Sequence, residues 1–306
     1  MNFSVIIPTY RRAETLFCVL DALGRQGEPP EFEVLVIDDG SGDETPSRLA
    51  AYRPGYPFRF FSQENAGPAS ARNLGVRQAV GRFVLFLGDD TVPEPRLLSI
   101  HAATQMQPRS FPVAVLGYTT WRPDRKVSPF LHHINEYGLQ FGYGLIEDPD
   151  SVPFNFFYTS NVSVPRDRLL EAGLFDTSFP HAAWEDIELA YRLMRRGMKM
   201  LYRPAAVTRH YHDVTFASFR RRQERAGEAA AIFYRKHPEL GGFLGVPQAR
   251  AARAGGSLAR ALLPRWASLA QRWELPGGRE ALERVLRDDY LRGLRRGLSG
   301  SGISCG

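Results

Sequence analysis

The sequence predicts an α/β fold with a mostly parallel central sheet flanked by helices. Three observations carry this. Over the first ninety residues, short β-rich runs alternate with stretches whose apolar residues recur at helical spacing. Three of the β-rich runs end on a polar cluster: Pro8-Thr9-Tyr10, Asp38-Asp39 and Asp89-Asp90. The order β-α-β-α calls for right-handed crossovers, which lay helices on the faces of a parallel sheet. Ligands of such sheets sit beyond the carboxyl ends of the strands, so the three polar clusters should meet in one crevice.

Each element follows from local pattern. Residues 3–7 form an apolar run, and Leu16, Val19, Leu20 and Leu23 then repeat on one helical face. Residues 32–37 are β-rich and close on Asp38-Asp39-Gly40-Ser41-Gly42, a strong turn signal. A polar helix is predicted over 43–52, a strand over 58–61, a helix over 68–80 and a strand over 83–87. The middle is less regular, with a helix expected over 95–106 and a strand over 113–118. The Gly-, Pro- and aromatic-rich stretch 121–155 reads as a long loop holding a short helix. The aromatic-rich residues from Trp121 to Tyr158 could shape a pocket or lid, or could simply be loop and core. A strand is expected over 156–164, and Pro165 suits the first turn of the next helix. A helix over 187–196 stops at Gly197. Two short strands are expected at 199–202 and 206–210, then a long Arg-rich helix over 215–237, ended by Pro238. Residues 241–256 read as a linker. Basic helical segments follow over 257–273 and 279–296, with a frayed end at 297–306.

Composition narrows the function. Apolar residues make up 43% and charged residues 24%, the balance of a globular protein. The two cysteines, Cys18 and Cys305, are too few for a disulfide framework or a thiolate metal site. The net charge of +6 lies wholly after Leu244: residues 245–306 hold eleven Arg and five acids, and the rest is neutral. A neutral body with a basic appendage argues against a nucleic-acid groove, and the appendage interleaves acids such as Glu283, Asp288 and Asp289. It points instead to peripheral contact with an anionic membrane, or to self-association or packing on the body of the chain, with Trp266 and Trp273 on one stripe. No run reaches the roughly 18 apolar residues that cross a bilayer, and the first residues read as a strand rather than a signal peptide. A cytoplasmic location is expected.

Four constellations carry chemistry. Asp89-Asp90 at a strand end can be a polar turn or a site for a hard cation, because adjacent carboxylates need a cation or donors nearby. Asp38-Asp39-Gly40-Ser41 can be a turn or a ribose and base site. Glu185-Asp186 opens a helix. The pair can complement the helix dipole or supply a general base. His210, with His212 two residues on, can be structural or can join an Asp in holding a catalytic metal. No P-loop and no strand-borne G-x-G-x-x-G is present, so diphosphate charge must be met by metal and by basic side chains such as Arg72.

Read in order, these pieces resemble the family 2 glycosyltransferases of the GT-A group. Val5-Ile6-Ile7-Pro8-Thr9-Tyr10-Arg11-Arg12 looks like the opening strand and nucleotide loop. Val36-Ile37-Asp38-Asp39-Gly40-Ser41 resembles the second-strand uridine site. Asn65 to Gly75 resembles the helix that follows, and Phe86-Leu87-Gly88-Asp89-Asp90 the D-x-D segment. Glu185-Asp186-Ile187-Glu188-Leu189 is similar to the acidic E-D motif, and His210 completes the set. The match runs over residues 3–212 and leaves the chain beyond about 240 uncovered.

The resemblance implies a Rossmann-like GT-A catalytic domain over 1–240, with a nucleotide-sugar half (1–118) and an acceptor half (119–240), and a basic helical extension over 241–306. It implies an inverting transfer from a nucleotide-diphosphate donor, a UDP-sugar, to a hydroxyl of a glycan or lipid-linked acceptor. It implies Mn²⁺ or Mg²⁺ as cofactor. Pro8, Thr9, Tyr10, Arg12, Asp39, Asn65, Arg72, Asp89 and Asp90 would bind the nucleotide sugar. Asp90 and His210, with His212 as fallback, would hold the metal. Asp186 would be the catalytic base, with Glu185 positioning the acceptor. Gly88 departs from the family pattern, which has a first Asp there. A non-catalytic nucleotide-sugar-binding module and a sugar-nucleotide pyrophosphorylase are the alternatives, and the latter lacks its Gly-rich basic loop here.

Overall fold

The computed structural model describes residues 1–138, 140–251, 264 and 277–300. The described residues divide into two compact units. The first comprises Met1–Lys126, Ile134–Thr177 and Glu185–His212.

Its centre is an eight-stranded sheet of order β3-β2-β1-β4-β7-β6-β8-β5. The strands are β1 (Phe3–Thr9), β2 (Phe32–Asp38), β3 (Phe58–Ser62), β4 (Phe83–Leu87), β5 (Thr91–Pro93), β6 (Val113–Trp121), β7 (Asn161–Pro165) and β8 (Lys199–His210). Strands β1 to β4 pair in parallel, joined by α1 (Ala13–Leu23), α2 (Thr45–Ala51) and α3 (Gly67–Gln78). Their carboxyl ends therefore share one edge, with Thr9 opposite Asp38 and Asp38 opposite Ser62. The sheet is more mixed than expected: β7 runs antiparallel to both β4 and β6, and β5 antiparallel to β8, while β6 and β8 are parallel.

Alternation along β1 explains the layers. Ile6 joins Ile37, Val84 and Phe86 on one face, covered by α3, α6 (Arg166–Glu171) and α7 (Glu185–Arg195). Phe3, Val5 and Ile7 join Val34, Val36 and Leu85 on the other, covered by α1, α2 and α4 (Leu97–Gln105). A strand of period two buried on both sides reads as a continuous apolar run, as β1, β2 and β4 do. The aromatics Phe141, Tyr143, Phe156 and Phe157 lie in the first core, so much of the 121–155 region and its continuation is packing.

Several boundaries differ from expectation. The two strands predicted at 199–202 and 206–210 are one strand. It carries an irregularity where Gly117 pairs Arg203 and Tyr118 pairs Val207, which lets the chain pass Pro204 without breaking the ladder. Asn161 Nδ2 donates to Ala206 O there (2.8 Å), and a Cβ on Gly117 would stand 2.3 Å from that nitrogen. The predicted strand at 156–164 begins only at Asn161, because residues 154–156 turn as a 3-10 helix. Strand β5 is too short to show periodicity, and the sequence gives no sign of it.

The second unit comprises Val127–His133, Ser178–Trp184 and Asp213–Gly306, so the expected domain boundary at 240 falls inside it. Helix α8 (Phe216–Lys236) starts at a capping box: Thr215 Oγ1 accepts from Ser218 N, and Ser218 Oγ from Thr215 N. The expected linker contains a helix, α9 (Val246–Ala251), and α10 (Gly278–Ser299) runs past Gly297, where fraying was expected. The segment 257–273, with Trp266 and Trp273, lies outside the described residues apart from Pro264. Helices α5 (Pro129–Glu136) and α8 each carry apolar faces, and Phe130 packs edge-on against Phe216 and Phe219.

Helices α8 and α10 run in the same direction, with Arg220 against Asp289, Glu224 against Gly293 and Glu228 against Arg296. Glycine makes the approach possible: a Cβ on Gly227 would meet Tyr290 O at 2.0 Å, and one on Gly293 would meet Glu224 O at 1.9 Å. Several tail arginines are neutralised here, since Arg292 bonds Asp289 and Arg296 bonds Glu224 and Glu228. Among the described residues, no helix is long and apolar enough to cross a membrane. Gly293→Ala should force the two helices apart and lower stability by about 1–3 kcal/mol, read as a lower melting temperature of the full chain.

Candidate active site

The site is built at the shared strand edge of the first unit. Asp89 and Asp90 follow β4 in a tight turn that Thr91 closes: Gly88 N donates to Thr91 Oγ1 (2.9 Å), and that hydroxyl reaches Gly88 O (3.0 Å) and Ser160 O (3.2 Å). Thr9, at the end of β1, donates through Oγ1 to Asp89 Oδ2 (2.9 Å). Arg12 Nη1 donates to Asp89 Oδ1 (3.1 Å) and to Asp90 Oδ2. His210, at the end of β8, points Nε2 at Asp90 Oδ2 (3.5 Å), and Tyr211 N donates to Asp90 O (2.8 Å). Four expected residues, Thr9, Arg12, Asp89 and Asp90, are thus linked in one polar chain that ends at His210.

The charges there are interdependent. Burial and the neighbouring Asp90 charge push Asp89 up to about 6, against the pull of Arg12 and Thr9. Burial also acts upward on Asp90, but the hydrogen bond and charge of His210, with Arg12 and His212, hold it well below the usual carboxylate range. Burial acts to lower the Arg12 pKa, and the two carboxylates outweigh it and raise it. Gly88 has a local reason: a Cβ there would stand 3.0 Å from Asp90 Oδ1 and 3.2 Å from Thr91 Oγ1.

Asp39 has an internal task. Its Oδ1 accepts from Gln63 Nε2 (2.7 Å) and Ala66 N (2.9 Å), and its Oδ2 from Gly67 N (2.9 Å) and Asn65 Nδ2 (3.3 Å). The carboxylate therefore caps the start of α3, and a nucleobase contact would have to take over one of these bonds. Asp39 N donates to Thr9 O (2.9 Å), tying this hub to the end of β1. Gly40 is held left-handed (φ 76°), where a Cβ would stand 2.9 Å from Asn65 N. Pro8 pairs with Ile37 inside the sheet, and Tyr10 is exposed, with the Arg11 guanidinium over its ring.

A second centre lies at the start of α7. Arg72 of α3 and Glu185 are both buried, and Arg72 Nη1 donates to Glu185 Oε1 (2.8 Å) beneath the Phe175 ring. Arg72 Nε and Glu185 Oε2 are buried with no hydrogen-bond partner. Asp186 Oδ1 accepts from Ile187 N (2.9 Å), and the Thr159 backbone also bonds its carboxylate. Burial, then the Glu185 charge, push Asp186 up to about 7, although Arg72 pulls it down. The Thr159–Ser160 turn links the two centres, bonding Asp186 on one side and Thr91 on the other. Thr91, Thr159, Ser160 and Gln63 escaped the sequence reading, because nothing in their spacing marks them. His212 is exposed, with its ring 6.0 Å from that of His210.

Among the described residues, no three metal-ligating side chains gather at one point. Asp90 and His210 make a two-donor set of carboxylate oxygen and imidazole nitrogen. Such a set suits a divalent ion that takes its other ligands from phosphate and water. His210 Nδ1 is buried without a hydrogen-bond partner, so among the ring nitrogens it is Nε2 that faces a neighbour, the Asp90 carboxylate.

The glycosyl transferase family 2 model matches residues 4–162. Validoxylamine A glucosyltransferase of Streptomyces hygroscopicus subsp. limoneus is 31% identical over 266 residues, covering 78% of this chain and 57% of that protein. The chain belongs to glycosyl transferase family 2. Chondroitin synthase of Escherichia coli is 28% identical over 226 residues, 64% of this chain and 32% of its own. The chain thus spans less than two thirds of these curated relatives. Among solved structures, mannosyltransferase PcManGT from Pyrobaculum calidifontis, in complex with GDP-Man and Mn²⁺, aligns with a TM-score of 0.65 at 22% identity, covering 97% of this chain and 87% of that one. S. aureus TarS 1–349 with UDP aligns at 0.56 and 18%, over 97% and 90%. The family 2 chain shares their GT-A fold.

The raised Asp186 pKa has a stability consequence. The folded state keeps that proton to higher pH than the unfolded chain. The contribution is therefore present below about 4 and is lost as pH rises to about 7. Asp186→Asn should melt higher than the parent at pH 8, by about 3 °C or more, and the gap should shrink toward pH 5.

Proposed function

We propose that this chain is an inverting glycosyltransferase that moves a sugar from a nucleoside-diphosphate donor, a UDP-sugar, to a hydroxyl of a glycan or lipid-linked acceptor. The observation that carries it is Asp186: a carboxylate poised near neutral pH, in the same unit as the Asp89–Asp90–His210 cluster. A general base works best when its pKa lies near the working pH. Family membership and the names of the relatives support the reaction class. A UDP donor is supported by the TarS complexes with UDP and UDP-GlcNAc, while the GDP-Man complex keeps GDP as the competing base.

In this mechanism Asp186 accepts the proton of the acceptor hydroxyl. The oxygen forms its bond to the anomeric carbon as the bond to the diphosphate oxygen breaks, and the electron pair leaves on the diphosphate. Glu185, held by Arg72, positions the acceptor beside the base. Thr9 orients Asp89 toward the ribose, and Asp39 with Asn65 shapes the loop around the base. Asp90 and His210 would hold Mn²⁺ or Mg²⁺, which supplies Lewis-acid stabilisation of charge on the leaving diphosphate when bound. Residues 1–118 form the donor half, and the acceptor half draws on the part of 119–240 that shares a unit with Asp186. The basic segment beyond 240 serves membrane contact or self-association.

The test is nucleotide release with purified chain, Mn²⁺, and UDP- or GDP-sugars over candidate hydroxyl acceptors. Release of one nucleotide that EDTA abolishes is expected. Asp186→Asn should cut kcat by about 10²–10⁴-fold while the donor still raises its melting temperature, and the parent's kcat should climb as pH passes about 7. Donor binding without release for any acceptor would leave a nucleotide-sugar-binding module.

A further inference from the structure

One guanidinium serves two carboxylates. Arg12 Nη1 stands 3.1 Å from Asp89 Oδ1 and also donates to Asp90 Oδ2. That same Asp90 oxygen faces His210 Nε2 at 3.5 Å. The oxygen that would join His210 around a divalent ion is therefore the one Arg12 holds. A metal–oxygen bond of about 2.1 Å leaves no room for a guanidinium on the same side of that oxygen, and two cations there repel.

Arg12 is placed to leave. Its side chain is 41% exposed, against 10% and 11% for its two partners. Its backbone lies just ahead of α1, outside the helix (φ −138°, ψ 40°). The preceding residue anchors the loop: Arg11 N donates to Ser41 Oγ (2.9 Å) and Arg11 Nε to Ser41 O (2.8 Å). The Arg12 side chain can therefore swing on a fixed backbone.

We propose that Arg12 is a resident counter-cation of the Asp89–Asp90 pair that competes with a divalent metal for Asp90, so that metal enters only as the guanidinium leaves. The inference rests on the metal reading given above. Before metal arrives, Arg12 keeps two adjacent carboxylates compensated and the turn after β4 in place. Once displaced, it is a mobile positive charge free to meet an incoming diphosphate, which would couple metal loading to donor capture.

The test is Mn²⁺ binding to the full chain without nucleotide, read by the electron paramagnetic resonance of free Mn²⁺ and by thermal shift. Arg12→Gln should bind Mn²⁺ about tenfold or more tightly than the parent. It should melt lower in EDTA and gain more on Mn²⁺ addition. Asp90→Asn should lose the binding. If Asp90→Asn binds Mn²⁺ like the parent, the metal reading itself falls. If Asp90→Asn loses binding while Arg12→Gln binds no tighter than the parent, competition is overturned and the metal reading stands. Should Arg12→Gln fail to fold, Arg12→Met decides: it keeps an apolar stem but neither the charge nor the donor that bridges the two carboxylates, and tighter binding supports the proposal while equal or weaker binding overturns it.

Discussion

Two neighbouring buried carboxylates at the end of β4 cannot both carry charge cheaply unless cations and donors stand close. Much of the first unit's architecture meets that demand. β1 delivers Thr9 and, just beyond it, Arg12; β8 delivers His210; the Thr91 hydroxyl braces the turn. The parallel pairing of β1 and β4 brings Thr9 to Asp89, and the long crossing of β8 beside β6 brings His210 to Asp90 from the other end of the sequence. The sheet order is thus the device by which residues about 200 positions apart share one electrostatic problem.

Helix α3 couples this centre to the second. Asp39 satisfies the free N–H groups at its start, and Arg72, further along, pairs with Glu185 at the start of α7. A shift of α3 would therefore be felt both at the end of β2 and beside Asp186. The Arg72–Glu185 pair is buried with one unpaired atom on each partner, an arrangement that favours a single geometry over raw stability. It also places a negative charge next to Asp186, which helps to keep that carboxylate poised.

The first four strands and the helices between them were legible because their physics is local. Apolar runs such as 32–37 and 83–87 are buried on both faces and end on residues that cannot continue a strand core, and periodicity reports both facts. The acidic and histidine positions were readable as types. Their partners were not: Arg12 could be expected among the nucleotide-sugar-binding residues, but only three-dimensional placement shows it on two carboxylates. Asp39 looked like a ligand residue and is occupied by Gln63 and the backbone of α3, which sequence spacing does not reveal. The middle resisted for another reason. Residues 154–160 are apolar enough for a strand yet turn, because their aromatics pack into the core from a loop. The tail's charge is not all outward-facing, since Arg292 and Arg296 pair with Asp289, Glu224 and Glu228 within the unit, which composition does not reveal.

The glycine seam between α8 and α10 bears on how the protein is made. Helix α8 leaves the ribosome well before α10, and its small-residue face, Gly227 to Ala231, has no mate until Gly293 and Gly297 emerge. The sheet unit, complete by His212, can close first, whereas the helical unit must wait with an uncovered groove. That interval is when a nascent chain is most exposed to premature association. Expression of shortened forms that stop before Gly278 would prolong it indefinitely, leaving α8 without the surface that its glycines were shaped to receive.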